Sequence, residues 1–179
     1  MEVQVKELLY EKTLGASGNF DTDEWWPSGT LPSGYDMLEI GGVFRGADTS
    51  ARVCLCYFNG DSTAANYRYA DVQGITSVNT IVGDDARVFT CPGSDGLADT
   101  FTRTQTVCLY PSLGVHKQIN SLYDRRDSAT ALVNGNNIMV WENTAAINRI
   151  QLLTNGASTN FVANSRVQIH GFKSVSVLI

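Results

Sequence analysis

Four groups of residues in this 179-residue chain carry side chains that could do chemistry. Cys54-x-Cys56 puts two thiols on one face of an apolar strand, because side chains two apart in a strand share a face. A zinc site needs further Cys or His ligands at turn-like spacing, and Cys91 and Cys108 sit in separate segments. The four cysteines therefore read as buried free thiols. The second group is Asp21-Thr22-Asp23-Glu24, whose alternate carboxylates could converge on calcium. It lacks the EF-hand spacing, so a solvated acidic loop is the plainer reading. The third is the histidine pair His116 and His170, each in an apolar strand with no HxH or HExxH partner. The fourth is aromatic. Trp25-Trp26-Pro27 lies in a loop and Trp141 ends a strand. Exposed aromatics stack on sugars or anchor protein partners. Trp141 reads as core, whereas Trp25 and Trp26 divide between core and contact. With no GxSxG elbow, Walker loop or dinucleotide fingerprint, no catalytic residue, metal or cofactor is expected.

The elements that must position these residues are strands. Period-two alternation and β-branched residues dominate, and helical spacing is scarce. Val3–Leu14 is a first strand whose apolar phase shifts between Val5 and Leu8, which predicts a bulge. Further strands are expected over 36–45, 51–58, 77–81, 87–91, 101–110, 116–123, 147–153 and 166–172, with another opening at "NYRYADV" and a short one at "SVSVLI". The "NGNN" within Ala129–Trp141 predicts a hairpin turn. One or two helical turns are expected near "ENTAAI". The fold class is all-β, an antiparallel jelly-roll-like β-sandwich of about ten strands. It is a single domain over 1–179, with 173–179 as a C-terminal extension.

Bulk properties narrow the function classes. A chain of this size buries roughly 70% of its unfolded surface and needs no staples. The net charge of −5, with Arg125-Arg126 flanked by Asp124 and Asp127, argues against nucleic acid. No stretch approaches the ~18 apolar residues of a membrane helix. The opening "MEVQVKELLYEKTLG" has acidic residues where a secretory leader is basic, so folding in a reducing cytoplasm is expected.

Several pieces occur together in a particular order: "KELLYEKTLGASGNF", "LPSGYDMLEIGGVFRG" and "VCLCYFNGDSTAANYRY", with its Phe-Asn-Gly-Asp and Asn-Tyr. The closing unit is "WENTAAINRIQLLTNGASTNFVANSRVQIHGF", in which Trp-x-x-Thr-Ala-Ala-Ile leads to Phe161-x-x-x-Ser165-x-x-x-Ile169-His170-Gly171. In these the chain resembles a broad family of small β-rich virion proteins of tailed bacteriophages: head decoration (cement) proteins, head fibres and tail-associated proteins. The family usually has tyrosine where His170 stands, and its usual end falls at Gly171-Phe172.

The resemblance implies a late virion structural protein made in the host cytoplasm, without an active site. Its first form is a capsid decoration protein on the outer head surface, stabilising the lattice of the major capsid protein. It would act as a homo-oligomer, a trimer being favoured, with no membrane or nucleic acid as partner. The alternative is a tail or baseplate accessory protein that contacts host surface glycans through Trp25 or Trp26. A non-viral carbohydrate-binding or hydrolytic sandwich is the third. The alternation in "NFVANSRVQIHGF" puts Val167, Ile169 and Gly171 on one face and Arg166, Gln168 and His170 on the other, which makes His170 a candidate contact.

Overall fold

A computed structural model describes residues 2–24, 34–74, 78–93, 100–111, 114–126, 132–156 and 160–176. Among them the chain forms twelve strands. They are β1 (Glu2–Thr13), β2 (Phe20–Asp21), β3 (Met37–Phe44), β4 (Arg52–Phe58), β5 (Tyr67–Gly74) and β6 (Val78–Gly83). After them come β7 (Arg87–Cys91), β8 (Thr102–Leu109), β9 (Lys117–Arg126), β10 (Leu132–Trp141), β11 (Ile150–Thr154) and β12 (Arg166–Ser176). All pair antiparallel in two sheets packed as a sandwich. The larger has the order β1-β12-β3-β8-β9-β10-β5-β6, the smaller β2-β11-β4-β7.

The alternation read from the sequence is the reason for this shape. In β8 and β9 every second residue is buried, so each strand has one dry face and one wet face. β7 is buried along its whole length, the pattern of a strand covered on both sides. Aromatic rings join the layers. Phe44 of β3 meets Phe89 of β7 at 4.9 Å between ring centroids, and Phe58 of β4 meets Trp141 of β10 at 5.4 Å. These side chains are fully buried, and each contributes about 1.5–3 kcal/mol through area removed from water.

Three expectations need correction. Leu132–Trp141 is one uninterrupted strand, not half of a hairpin around "NGNN". Gly135 faces the ring of Tyr123 on β9, so the missing side chain makes room for an aromatic instead of turning the chain. No helix forms at "ENTAAI"; Asn143 Oδ1 accepts the Ala145 N–H in an irregular segment that bends at Ala145. The antiparallel sandwich expected with about ten strands is present, with twelve among the described residues, partly because the two-residue β2 lies inside the long loop after β1. The described part of "SVSVLI", Ser174–Ser176, does not start a new strand: β12 runs through Lys173–Ser176 without a break, paired with Glu2–Val5, and the last three residues lie outside the described residues. The bulge in β1 exists, but at Leu9, between Leu8 and Tyr10.

Candidate docking face on the eight-stranded sheet

The inner face of the large sheet is core and its outer face is uncovered among the described residues. One register row crosses all eight strands: Leu8, His170, Glu39, Val107, Asn120, Ile138, Ala70 and Val82. None of these is buried. The adjacent row, Tyr10, Ile169, Ile40, Thr106, Ser121, Asn137 and Asp71, is buried. The wet face is therefore a continuous surface across the whole sheet.

Its centre holds amides and aliphatics. β8 offers Gln105 and Val107, β9 offers Gln118, Asn120 and Leu122, and β10 offers Asn134, Asn136 and Ile138. Leu122 is 56% exposed and Ile138 45%. Charges stand around this block, mostly neutralised in pairs. Lys6 bonds Glu39 at 2.7 Å, Arg166 bonds Glu11, and Arg68 bonds Asp84 at 2.7 Å. An uncharged centre within a charged rim is the anatomy of a protein interface. Hollows indent the face. One, of ≈ 580 Å³, is bordered by Arg103, Asp124, Asn134, Arg166 and Gln168. Another, of ≈ 410 Å³, is lined by Gln105, Val107, Gln118, Asn120, Leu122 and Ile138.

His170 lies on this face, near its β1 edge. Its Nδ1 is 3.9 Å from Glu39 Oε1, is buried, and has no hydrogen-bond partner among the described residues. Burial, reinforced by the Lys6 charge, holds its pKa below the ordinary value. Trp25 and Trp26 lie outside the described residues. His116 is exposed just ahead of β9, not within a strand.

The other candidates are structural. Cys54, Cys56, Cys91 and Cys108 are buried free thiols. Burial pushes Cys54 and Cys56 well above the usual thiol range and Cys108 up to about 12. Asp21 and Asp23 face a guanidinium: Arg149 bonds Asp21 at 2.5 Å and Asp23 at 2.8 Å. Burial works to raise the Asp21 pKa, but the bonds from Arg149, the Asp23 N–H and Gln151 outweigh it, and the carboxyl sits below its ordinary value. That carboxylate pair thus holds a side-chain cation of its own chain.

The motif residues that carry the resemblance meet in one cluster at the end of β4. Trp141 is fully buried and donates its indole N–H to Asp61 at 2.9 Å. Asn66 donates to the same carboxylate at 2.9 Å, and the Thr63 N–H at 3.1 Å. Tyr67 donates its hydroxyl to the Asp61 carbonyl and receives the Phe58 N–H. Asn59 sits at φ 55, in the left-handed region that Asn tolerates. From there its amide accepts the N–H groups of Asn148 and Arg149 and donates to the Ala146 carbonyl. Phe-Asn-Gly-Asp, Asn-Tyr and Trp-x-x-Thr-Ala-Ala-Ile are thus three strands of one tie, and the tie holds β4, β5 and β10 together.

Sequence reasoning missed this candidate face. Part of its signal was present: beyond Arg103 the outward positions of "TRTQTVCL" and "QINSLY" are amides and aliphatics, where a plain solvent face would carry charge. Comparisons with protein-family models, curated proteins and solved structures found no match.

Proposed function

We propose that this chain is a structural protein of a bacteriophage virion, and in particular a head decoration protein that lays the outer face of its large sheet on the major capsid protein lattice. The observation that carries the reading is the uncharged, partly apolar centre of that face within its charged rim. Its size suits the task. Seven gaps of about 4.8 Å across the sheet and eight residues of about 3.4 Å along it give roughly 900 Å², against about 800 Å² per partner in a stable protein interface. The ordered tie formed by the family-like motifs supports the same reading, since it gives those residues a reason to occur together. Weak docking at each site sums to firm attachment when many copies share one shell.

The test is quantitative mass spectrometry of separated heads and tails from the parent virion. Copies comparable in number to the lattice positions, on heads, are expected; absence from heads would remove the reading.

One observation favours a second reading, a tail or baseplate accessory protein that binds glycans. The ≈ 580 Å³ hollow combines Arg103, Asp124, Asn134 and Gln168, groups that exchange hydrogen bonds with sugar hydroxyls. Glycan-array binding lost in Asn134→Ala would support it, and a silent array would count against it.

A further inference from the structure

β1 is an edge strand of the large sheet, and among the described residues nothing pairs with its outer side. Exposed edges invite strand addition, and proteins blunt them with proline, bulges or short length. The other edges are blunted or short: β2 has two residues, β7 five, and β6 has six and ends at Gly83. β1 has twelve, and its bulge at Leu9 leaves Glu2–Leu8 regular, without glycine or proline. Beyond Phe172, β12 has no ladder partner but β1, so Glu2–Val5 and Lys173–Ser176 form a two-stranded ribbon past the end of β3. Such a ribbon is marginal by itself. Val3 is 38% exposed, Val5 37% and Val175 39%, all on the inner-face side.

We infer that this edge pairs with the same edge of a second copy, antiparallel, about a two-fold axis through Gln4. The segment Glu2-Val3-Gln4-Val5-Lys6 is complementary to itself in that register. Gln4 faces Gln4 of the copy, each Val3 faces a Val5, and each Glu2 faces a Lys6. Antiparallel partners directly opposite share a face, so the valines cover one another on one side and the charges match on the other. A shift of two residues would set Lys6 against Gln4 and Val3 against Glu7, and forfeit both matches. Glu2 has no ion pair among the described residues, while Lys6 bonds Glu39 and lies 5.2 Å above the Phe172 ring. Lys6 is thus already oriented, and the copy's Glu2 completes its surroundings. Isologous pairing of this kind closes after two chains and joins the sheets into one of twice the width. The inference does not depend on what the outer face binds, and it assigns a two-fold contact where the resemblance implies a trimer.

Sedimentation velocity of the full chain over a concentration series tests it, with Glu2→Lys and Lys6→Glu studied separately and mixed in equal amounts. Wild type should pass from monomer to dimer with rising concentration. Each reversal places like charges at both ends of the pairing and should weaken it roughly tenfold. The equimolar mixture restores opposite charges at both ends and should form heterodimers about as tightly as wild type. Gln4→Glu sets two carboxylates against each other on the axis yet faces only Ser174 within its own chain, so it keeps the test sound if Lys6→Glu fails to fold. It too should weaken the dimer. A wild type that stays monomeric, a trimer, reversals that dimerise as wild type does, or a mixture no tighter than its components would each overturn the inference. So would protection of β1 from hydrogen exchange only when a different protein is bound.

Discussion

Replacing Gly135 with alanine should destabilise the protein far more than a single methyl group in a strand ordinarily does. A Cβ built there lies 2.1 Å from Tyr123 Cζ and 2.3 Å from its hydroxyl oxygen. Restoring an ordinary carbon–carbon separation of about 3.5 Å requires the ring to move by roughly 1.4 Å. The ring is not free to move. Tyr123 is 4% exposed, and its hydroxyl donates to Asp71 at 3.0 Å and 3.2 Å. Asp71 is itself fully buried and bonded to Arg87 at 2.7 Å. Overpacking costs about 1–3 kcal/mol. Losing the bond to a buried carboxylate costs a further 1.5–3 kcal/mol or so. The gain from a stiffer unfolded chain is only about 0.4–1 kcal/mol. The net loss is therefore roughly 2–5 kcal/mol, read as a shift in the urea midpoint at unchanged slope. In a Tyr123→Leu background, where the clashing atoms are gone, the same alanine should cost almost nothing. A Gly135→Ala protein within about 0.5 kcal/mol of wild type would refute the packing argument and with it the account of why "NGNN" runs straight.

Other perturbations test the remaining parts of the structure. Asp61→Ala should lose about 2–4 kcal/mol in urea unfolding, because the buried Trp141 indole N–H is left without its acceptor. Burial works to raise the Asp61 and Glu39 carboxyls, but hydrogen bonds led by Trp141 and Lys6 respectively hold both below their ordinary values. The stability they supply should be present above the ordinary carboxylate range and lost as pH falls through the depressed values. His170 acts earlier. Its folded pKa lies below 6.5, so the unfolded chain takes up the proton first, and stability should fall as pH drops through 6.5. His170→Gln should flatten the change in melting temperature between pH 7.5 and 5.5; an unaltered slope would contradict the shielding of its Nδ1 from water. A thiol reagent at pH 8 should find the four cysteines only after unfolding, and one fast equivalent in the native protein would contradict their burial.

Much of this fold was legible because alternation is a local property. β7 falls on the residues its β-branched and aromatic run predicted, and β3, β4 and β8 differ from expectation only at their ends. What was not legible is what depends on a residue's partner across the sheet. Gly135 and Asn137 are turn residues by type, yet one lies under the Tyr123 ring and the other is buried between Ser121 and Asp71. No local signal distinguishes a glycine that turns a chain from one that admits an aromatic. The extent of the candidate face was hidden for a similar reason. Leu122 and Ile138 lie sixteen residues apart along the chain, and only the register of β9 against β10 brings them to one surface. Trp141 was legible as core, while the reason the motif residues recur together needed Asp61, eighty residues away in sequence, to be placed beneath the indole.

In the proposed reading the outer face of the large sheet attaches the protein to a shell. That attachment is tested most directly by binding purified wild type and a Leu122→Asp/Ile138→Asp double variant to heads that lack the protein. Both substituted side chains are exposed, so the variant should melt within a few degrees of wild type. Wild type should saturate the heads, and the variant, with two carboxylates desolvated at the centre of each contact, should bind at least a hundredfold more weakly. Equal binding of the two proteins would show that the shell is held by some other surface and would contradict the account.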